Sequence, residues 1–212
     1  MPRGNERASE LASERASGIA AVILAAGASR RMGESVNKLL LDIDGEPMVR
    51  RTARRALEAG LWPVVVVLGH EAERVRAALD GLGCSFAENP DFTGPTSGSL
   101  HAGLRALPST VDAAIVLLGD MVHVTTAMLR ALLDAADGTS APLVVSRYGE
   151  EFVPAPPLLF RRALWPELLA WHGEGCGKAV VMAHRDEAAT LDWPAAALRD
   201  VDTPADYEEL TQ

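Results

Sequence analysis

Strand-like and helix-like patterns alternate along this chain, and this alternation restricts the fold more than any other feature of the sequence. Short apolar runs occupy residues 19–24, 64–68 and 113–118, and each is uninterrupted by polar residues. Such runs are typical of strands that are covered on both faces of a parallel sheet. Because helical stretches of about ten residues separate them, the sequence predicts an α/β fold with a mostly parallel sheet between helices.

The remaining elements follow from the same patterns and from glycine and proline positions. The predicted strands are 19–24, 64–68, 84–87, 113–118 and 143–146, and the predicted helices are 47–59, 71–79, 100–107, 125–135 and 159–171, with Pro166 dividing or kinking the last. Residues 88–99 form a turn-rich loop, and residues 147–158, which carry three prolines, form an excursion or lid. We expect residues 18–212 to form a single domain after a flexible tail, 1–17.

Composition excludes several classes of protein. The net charge of −9 argues against nucleic acid or an anionic membrane surface as the main partner. No apolar run approaches the roughly 18 residues that span a bilayer, and residues 1–17 lack the apolar centre of a secretory signal. The two cysteines have no metal-ligand spacing and are too few for a disulfide framework, which favours a cytoplasmic protein.

A run of small residues follows the first strand, in the stretch 19–41. Residues 25–29 spell AAGAS, so their backbone N–H groups can approach a ligand closely, and the cations Arg30, Arg31 and Lys38 follow. This combination suits a polyphosphate, although it is also compatible with an ordinary strand-to-helix turn and solvated arginines. The segment from Gly27 to Gly33 is not a dinucleotide-binding G-x-G-x-x-G sequence.

Carboxylates occur at two further positions where chemistry is expected. Asp120 ends the predicted strand 113–118 after a glycine, at the edge where α/β sheets bind ligands, and it is either a magnesium ligand or a solvated strand end. Asp200 and Asp202 precede Pro204, where Asp202 or Thr203 can cap a helix.

Other polar segments have simpler interpretations. Ser99 can cap the helix after the 88–99 loop, whose N–H groups would face an anion. The sequence GEGCGKA, residues 173–179, fails the Walker pattern, and we interpret it as the start of a helix. The five histidines lack metal spacing, although His70 and His101 are candidates for positions near a ligand.

The ordered motif LAAG, Ser, Arg-Met-Gly, Lys and Gly-x-Pro resembles the signature loop of the MobA-like NTP transferase superfamily. This superfamily includes molybdenum-cofactor nucleotidyltransferases, methylerythritol-phosphate cytidylyltransferases and N-acetylglucosamine-phosphate uridylyltransferases. The resemblance covers residues 19–210 and implies a Rossmann-like, three-layer α/β/α nucleotidyltransferase fold. It also implies a magnesium-dependent reaction that releases pyrophosphate.

The resemblance also implies roles for individual residues. Arg31, Lys38 and Asp120 are the implied catalytic residues, with Arg31 and Lys38 on the triphosphate and Asp120 and Asp202 on the metal. The implied nucleotide-binding residues are Leu24, Ala25, Ala26, Gly27, Arg31, Lys38, Asn89, Ser97, Gly98 and Ser99.

Within the superfamily, the chain is most similar to the molybdenum cofactor cytidylyltransferases. The LAAG spelling favours CTP, because a methyl group at Ala26 would crowd a purine. The expected acceptor is a molybdopterin-type cofactor, with transient contact to a molybdoenzyme or its chaperone. Four residues separate Gly33 from Lys38, and the segment 150–160, EEFVPAPPLLF, lacks the Gly-His/Asn-Pro-Val sequence common in the cofactor branch, so acceptors such as sugar or polyol phosphates stay open. Two further classes also stay open, a nicotinamide-dependent oxidoreductase and a non-catalytic cofactor chaperone.

Overall fold

The computed structural model describes residues 18–32, 36–199, 201 and 203–211. Its main feature is a seven-stranded sheet in the order β5-β4-β1-β6-β8-β7-β9, beside a small hairpin of β2 and β3. The strands are β1 Ile19–Ala25, β2 Asp42–Ile43, β3 Glu46–Pro47, β4 Val64–Leu68, β5 Cys84–Glu88, β6 Ala113–Leu118, β7 Leu143–Tyr148, β8 Val153–Arg161 and β9 Ala189–Trp193.

Most neighbouring strands of the large sheet are parallel. The pairs β1–β4, β1–β6, β4–β5 and β7–β9 are parallel, whereas β8 runs antiparallel to both β6 and β7. The predicted α/β class with a mostly parallel sheet is therefore confirmed.

Helices cover both faces of this sheet, as a three-layer fold requires. The helices are α1 Met48–Ala59, α2 Ala72–Ala78, α3 Thr96–Arg105, α4 Thr126–Asp137, α5 Trp165–Ala170, α6 Lys178–Ala183 and α7 Pro204–Thr211. Side chains alternate along β1: Ile19, Ala21 and Ile23 join one core with residues of α1 and α4. Ala20, Val22 and Leu24 join a second core with residues of α3, α5 and α6. We call these sides of the sheet the α1 face and the α3 face.

The chain departs from the sequence-based prediction at the antiparallel strand. Residues 153–161 form β8, so the predicted helix over 159–171 is wrong in its first half, and residues 147–158 complete a hairpin rather than a lid. The apolar residues 158–160 pair with both β6 and β7, which satisfies their backbone groups. Pro156 and Pro157 lie where the register shifts between Val145 and Arg147, a place where missing N–H groups are tolerated. Only residues 165–170 of the predicted segment are α-helical.

The topology brings several polar loops to one edge. Because β1, β4, β5 and β6 are parallel, their carboxyl ends meet there, at a typical ligand-binding position in such sheets. None of the described helices combines the length and the hydropathy needed to cross a membrane.

Candidate active site

A cavity of about 490 Å³ opens at this edge of the sheet. It is lined by residues at the carboxyl ends of β1 and β6, by residues that follow β1, β5 and β6, and by Glu174 from the segment before α6. These residues are Leu24, Ala25, Ala26, Gly27, Ala28, Ser29, Arg31, Met32, Lys38, Leu39, Phe92, Thr93, Gly94, Thr96, Ser99, Leu118, Asp120 and Glu174. A volume of this size accommodates a nucleotide-sized ligand.

The loop after β1 forms the floor of the cavity. Neighbouring loops fix its backbone: the Leu24 carbonyl accepts a hydrogen bond from Gly119 N–H at 2.9 Å, and the Ala26 carbonyl accepts one from His70 N–H at 3.0 Å. Ala26 is 3% exposed and its methyl group lies against Gly69, where an added Cβ would be 2.7 Å from it. The predicted crowding of a purine by Ala26 would therefore act mainly through the distance between the loop after β1 and the loop that contains Gly69.

Gly27 differs from the other residues of the floor. It is exposed to the cavity, and a Cβ added there would meet no protein atom within 4 Å. The protein's own packing therefore does not require glycine at this position. The open space lies where the sequence predicts close approach of a ligand to the backbone.

Arg31, Lys38 and Asp120 line the same cavity. We call these three residues the cationic wall, after the two cations Arg31 and Lys38. The ammonium of Lys38 contacts Oδ2 of Asp120 in a pair that is largely shielded from solvent. Ser29 lies in the left-handed region at φ 50°, and its side chain accepts a hydrogen bond from Lys38 N–H at 3.1 Å. This bond fixes the start of the short helical turn Lys38–Leu40. This role of Ser29 is absent from the sequence-based prediction.

Gly119 and Thr52 shape the end of β6, which leads into Asp120. A Cβ on Gly119 would lie 3.1 Å from Leu39 and 3.4 Å from Ala25, so this glycine makes room for the core and not for a substrate. The hydroxyl of Thr52, on α1, lies 3.2 Å from the Gly119 carbonyl. Thr52 is 3% exposed and is a buried tether that sequence reasoning missed.

The predicted nucleotide-binding residues of segment 89–99 lie partly in the cavity lining and partly outside it. Ser99 lines the cavity, whereas Asn89, Ser97 and Gly98 lie behind the lining residues. Asn89 Nδ2 donates to Ser99 Oγ at 3.0 Å, and Asn89 Oδ1 accepts from Asp91 N–H at 3.1 Å, which fixes the orientation of the amide. Because Ser99 Oγ accepts the hydrogen bond from Asn89 Nδ2, the Ser99 hydroxyl proton is directed away from Asn89.

The predicted capping role of Ser99 is wrong. Helix α3 begins at Thr96 and not near residue 100, so Ser99 lies inside its first turns. Pro95 occupies the N-cap and provides no side-chain hydrogen bond. Ser97 Oγ instead accepts a hydrogen bond from Gly173 N–H at 3.1 Å.

A second group of lining residues was not predicted, and we call it the glutamate wall: Phe92, Thr93, Gly94, Thr96 and Glu174. Phe92 packs against the core of the α3 face, whereas Leu39, beside Lys38, belongs to the core of the α1 face. The two walls are therefore supported from opposite faces of the sheet. The one feature of the sequence that could have indicated the glutamate wall was Phe92, an isolated aromatic residue within a polar loop.

The remaining candidates have other locations. The His70 ring lies at 50° to the Phe92 ring, with ring centroids 5.9 Å apart, and His70 is outside the cavity lining. His101 is buried, with Nε2 2.9 Å from the carbonyls of Leu168 and Trp171, so its role is packing. Both cysteines are thiols, and burial raises the pKa of the Cys84 thiol to about 11.

The carboxyl-terminal acidic segment is described only in part. Asp200 and Asp202 lie outside the described residues. Thr203 and Asp206 form a reciprocal cap at the start of α7: Thr203 N–H donates to Asp206 Oδ2 at 2.7 Å, and Asp206 N–H donates to Thr203 Oγ1 at 3.3 Å. The expectation that Thr203 can cap this helix is confirmed.

The fold and the cavity define an α/β protein with a nucleotide-sized site at the carboxyl edge of its sheet. Comparison with family models identifies residues 21–188 as a MobA-like NTP transferase domain. The chain belongs to this family of nucleotidyltransferases, as its signature loop predicted.

Individual relatives agree with this assignment. A probable molybdenum cofactor guanylyltransferase of Natronomonas pharaonis is 38% identical over 166 residues, covering 76% of this chain and 74% of that protein. The bifunctional protein GlmU of Cupriavidus pinatubonensis is 39% identical over 120 residues, which are 56% of this chain but 26% of GlmU. The matched segment is thus about a quarter of the length of that relative.

Solved structures extend the likeness to nearly the whole chain. The crystal structure of Rv0371c from Mycobacterium tuberculosis H37Rv superposes with a TM-score of 0.79 at 29% identity. The match covers 91% of this chain and 97% of the mycobacterial chain.

Proposed function

We propose that this protein transfers CMP from CTP to a phosphorylated acceptor, a molybdopterin-type cofactor, and releases pyrophosphate. The observation that carries the proposal is the convergence of Arg31, Lys38 and Asp120 on the cavity that the AAG loop also lines. Cations and small-residue backbone around one cavity are the groups that a triphosphate requires.

In the proposed reaction, an oxygen of the acceptor's phosphate monoester attacks the α-phosphorus of CTP. A new phosphoanhydride bond forms, the bond between the α-phosphorus and the bridging oxygen breaks, and that oxygen leaves with pyrophosphate. The acceptor is largely dianionic at neutral pH because its second pKa is about 6, so no general base is needed. The protein's task is to align two anions and to neutralise charge.

Arg31 and Lys38 would provide that neutralisation. Both line the cavity, and Lys38 is held at its wall by the contact with Asp120 and by the Ser29 hydrogen bond. A lysine fixed in this way loses little side-chain entropy when a phosphate binds. The contact with Asp120 also keeps a partly buried carboxylate compensated before the nucleotide arrives.

Asp120 suits a magnesium ion, since its oxygens are hard ligands and it is 9% exposed at the cavity. Among the described residues no group of three His, Cys, Asp or Glu side chains forms a metal site, so the other ligands would be Asp202, water and phosphate oxygens. When bound, the ion would supply charge neutralisation at the phosphates. The mycobacterial relative Rv0371c has also been solved in complex with manganese, which supports a divalent ion here.

The base would lie between the β1 loop and the start of α3. Asn89 directs the Ser99 hydroxyl proton away from itself, which makes Ser99 a donor to a base or ribose oxygen. The LAAG sequence supports CTP, and a preference for CTP would act through the tight packing of Ala26 against Gly69, which sets the distance between their two loops.

A second candidate is transfer of another nucleotide or transfer to another acceptor. The guanylyltransferase relative favours GTP with a molybdenum cofactor. A sugar or polyol phosphate is the other class of acceptor, and the spacing between Gly33 and Lys38 favours it. A nicotinamide-dependent oxidoreductase or a non-catalytic chaperone is not favoured by any contact in the cavity. Transient contact with a molybdoenzyme and a cytoplasmic location belong to the main proposal.

The test is a pyrophosphate-release screen that pairs CTP, GTP, UTP and ATP, each with magnesium, with molybdopterin cofactor and with common sugar phosphates. We expect the largest signal with CTP and the pterin. A larger signal with GTP would replace the proposed base, and one with a sugar phosphate would replace the proposed acceptor. Absence of pyrophosphate with every pair would overturn nucleotidyl transfer itself.

A further inference from the structure

Glu174 reaches the start of helix α3 from 78 positions further along the chain. Its Oε2 accepts a hydrogen bond from Thr96 N–H at 3.1 Å and also contacts the Thr96 hydroxyl. Ser97 N–H donates to the Gly173 carbonyl at 3.0 Å. The first two N–H groups of α3 are therefore satisfied by residues 173 and 174.

The segment that carries Glu174 is held firmly against α3. Gly173 N–H returns a hydrogen bond to Ser97 Oγ at 3.1 Å, and the His101 side chain contacts the Leu168 and Trp171 carbonyls. After Glu174, the chain turns through three consecutive residues in the left-handed region, Gly175, Cys176 and Gly177, with φ of 92°, 53° and 87°. This turn leads into α6 and leaves the Glu174 carboxylate on the cavity lining.

A negative charge at this position has an electrostatic consequence. The N-terminus of a helix carries partial positive charge and exposed N–H groups, and it ordinarily attracts phosphate. Here the Glu174 carboxylate and the Gly173 carbonyl occupy the first two of those donors, so a phosphate near Thr96 would not find them available and would also meet a like charge. Arg31 and Lys38 offer positive charge elsewhere on the cavity lining.

We propose that Glu174 is a specificity-determining residue that acts as an internal anion: it excludes phosphate and pyrophosphate from the N-terminus of α3 and thereby directs the triphosphate to the cationic wall. This inference rests on the proposed nucleotidyl transfer, because it concerns the orientation of the same nucleotide. The role depends on the charge of Glu174 and not only on its two hydrogen bonds to Thr96.

The test separates charge from hydrogen bonding by calorimetric titration of the full chain with inorganic pyrophosphate, without nucleotide. Glu174→Gln keeps one acceptor oxygen for Thr96 but removes the charge, whereas Glu174→Ala removes both. Glu151→Gln, an exposed carboxylate outside the cavity lining, is the control for net charge. We expect both Glu174 variants to bind pyrophosphate about tenfold more tightly than the unsubstituted chain, as is typical for loss of one nearby like charge.

In the CTP reaction, Glu174→Gln should raise the KM for CTP and strengthen inhibition by pyrophosphate, with kcat nearly unchanged. If Glu174→Gln binds pyrophosphate like the unsubstituted chain, Glu174 is only a helix cap and the proposal is wrong. The proposal is equally wrong if Glu151→Gln has the same effect, or if no variant changes pyrophosphate binding. Because this titration needs no turnover, its outcome is independent of whether CTP is the substrate.

Discussion

The cationic wall and the glutamate wall line one cavity but arise from the sequence in different ways. In the cationic wall, the Ser29–Lys38 hydrogen bond joins residues nine positions apart. In the glutamate wall, Thr96 and Glu174 are 78 positions apart. Arg31 and Lys38 of the first wall therefore come from one local motif, which Asp120 joins from the end of β6. The second wall depends wholly on the packing of α3 against the segment after α5. We expect the first wall to contribute mostly to chemistry and the second mostly to binding and selectivity.

Asp120→Asn should produce the largest effect and would show whether the cationic wall carries the chemistry. The variant preserves the shape of the side chain but removes the charge that contacts Lys38 and would hold the metal. We expect kcat/KM to fall by at least about 100-fold, or roughly 2.7 kcal/mol of transition-state stabilisation. Pyrophosphate release measures this, and thermal melting checks folding. Turnover near that of the unsubstituted chain would eliminate the metal assignment.

Gly27→Ala tests whether the ligand approaches the floor beside the cationic wall. An added methyl group would meet no protein atom within 4 Å, so the variant should fold normally. We expect the KM for CTP to rise about tenfold, since the methyl would occupy space needed by the nucleotide. Gly138→Ala is the matched control, because a Cβ there makes only ordinary contact, at 3.4 Å or more, and Gly138 is outside the cavity lining. Unchanged affinity in Gly27→Ala would place the nucleotide elsewhere.

Asn89→Ala tests the support of Ser99, which we propose contacts the base or ribose. It removes the donor to Ser99 and the acceptor for Asp91 N–H at a site that is 6% exposed. We expect a loss of stability of about 1–3 kcal/mol and a severalfold rise in the KM for CTP with little change in kcat. Chemical denaturation and steady-state kinetics measure the two effects. A fall in kcat comparable with that of Asp120→Asn would remove the proposed division between chemistry and binding.

His184→Gln should have the smallest effect and should alter stability rather than activity. Hydrogen bonds to the Glu167 and Glu187 carboxylates, each 2.9 Å from a ring nitrogen, raise the pKa of His184 above its ordinary value of 6.5. A raised pKa in the folded state stabilises the protein fully below the unfolded value, and this stabilisation is lost as pH rises through the folded value. The melting temperature of His184→Gln should therefore fall below that of the unsubstituted chain by more at about pH 6 than at about pH 9. An equal difference at both pH values would contradict this account.

The parallel part of the fold was predictable because its signals are local. The apolar runs of β1, β4 and β6 lie within their observed bounds, and Gly60 ends α1 in the left-handed conformation that glycine favours. The antiparallel strand β8 was not predictable from its own residues, since its prolines oppose strand formation and its apolar run suits a helix equally well. Pairing with β6 and β7 decides its conformation.

The candidate site also has a part that was predictable from the sequence and a part that was not. The sequence motif indicated Arg31, Lys38, Asp120 and the small floor residues, and the structure brings these to one cavity. It did not reveal Thr52 or Glu174, because a hydroxyl that tethers a strand end and a carboxylate that caps a distant helix have no local signature. The contacts of Asn89 with Ser99 and of Ser97 with Gly173 were not predictable for the same reason, since they depend on the fold and not on spacing in the sequence.

The most direct test of the account is a crystal structure of the protein with magnesium and a non-hydrolysable CTP analogue. The account predicts triphosphate oxygens within about 3.5 Å of the Arg31 guanidinium and the Lys38 ammonium, with the base beside Ser99. Asp120 should lie at the metal. A triphosphate bound at the N-terminus of α3, with Lys38 still paired to Asp120, would contradict it.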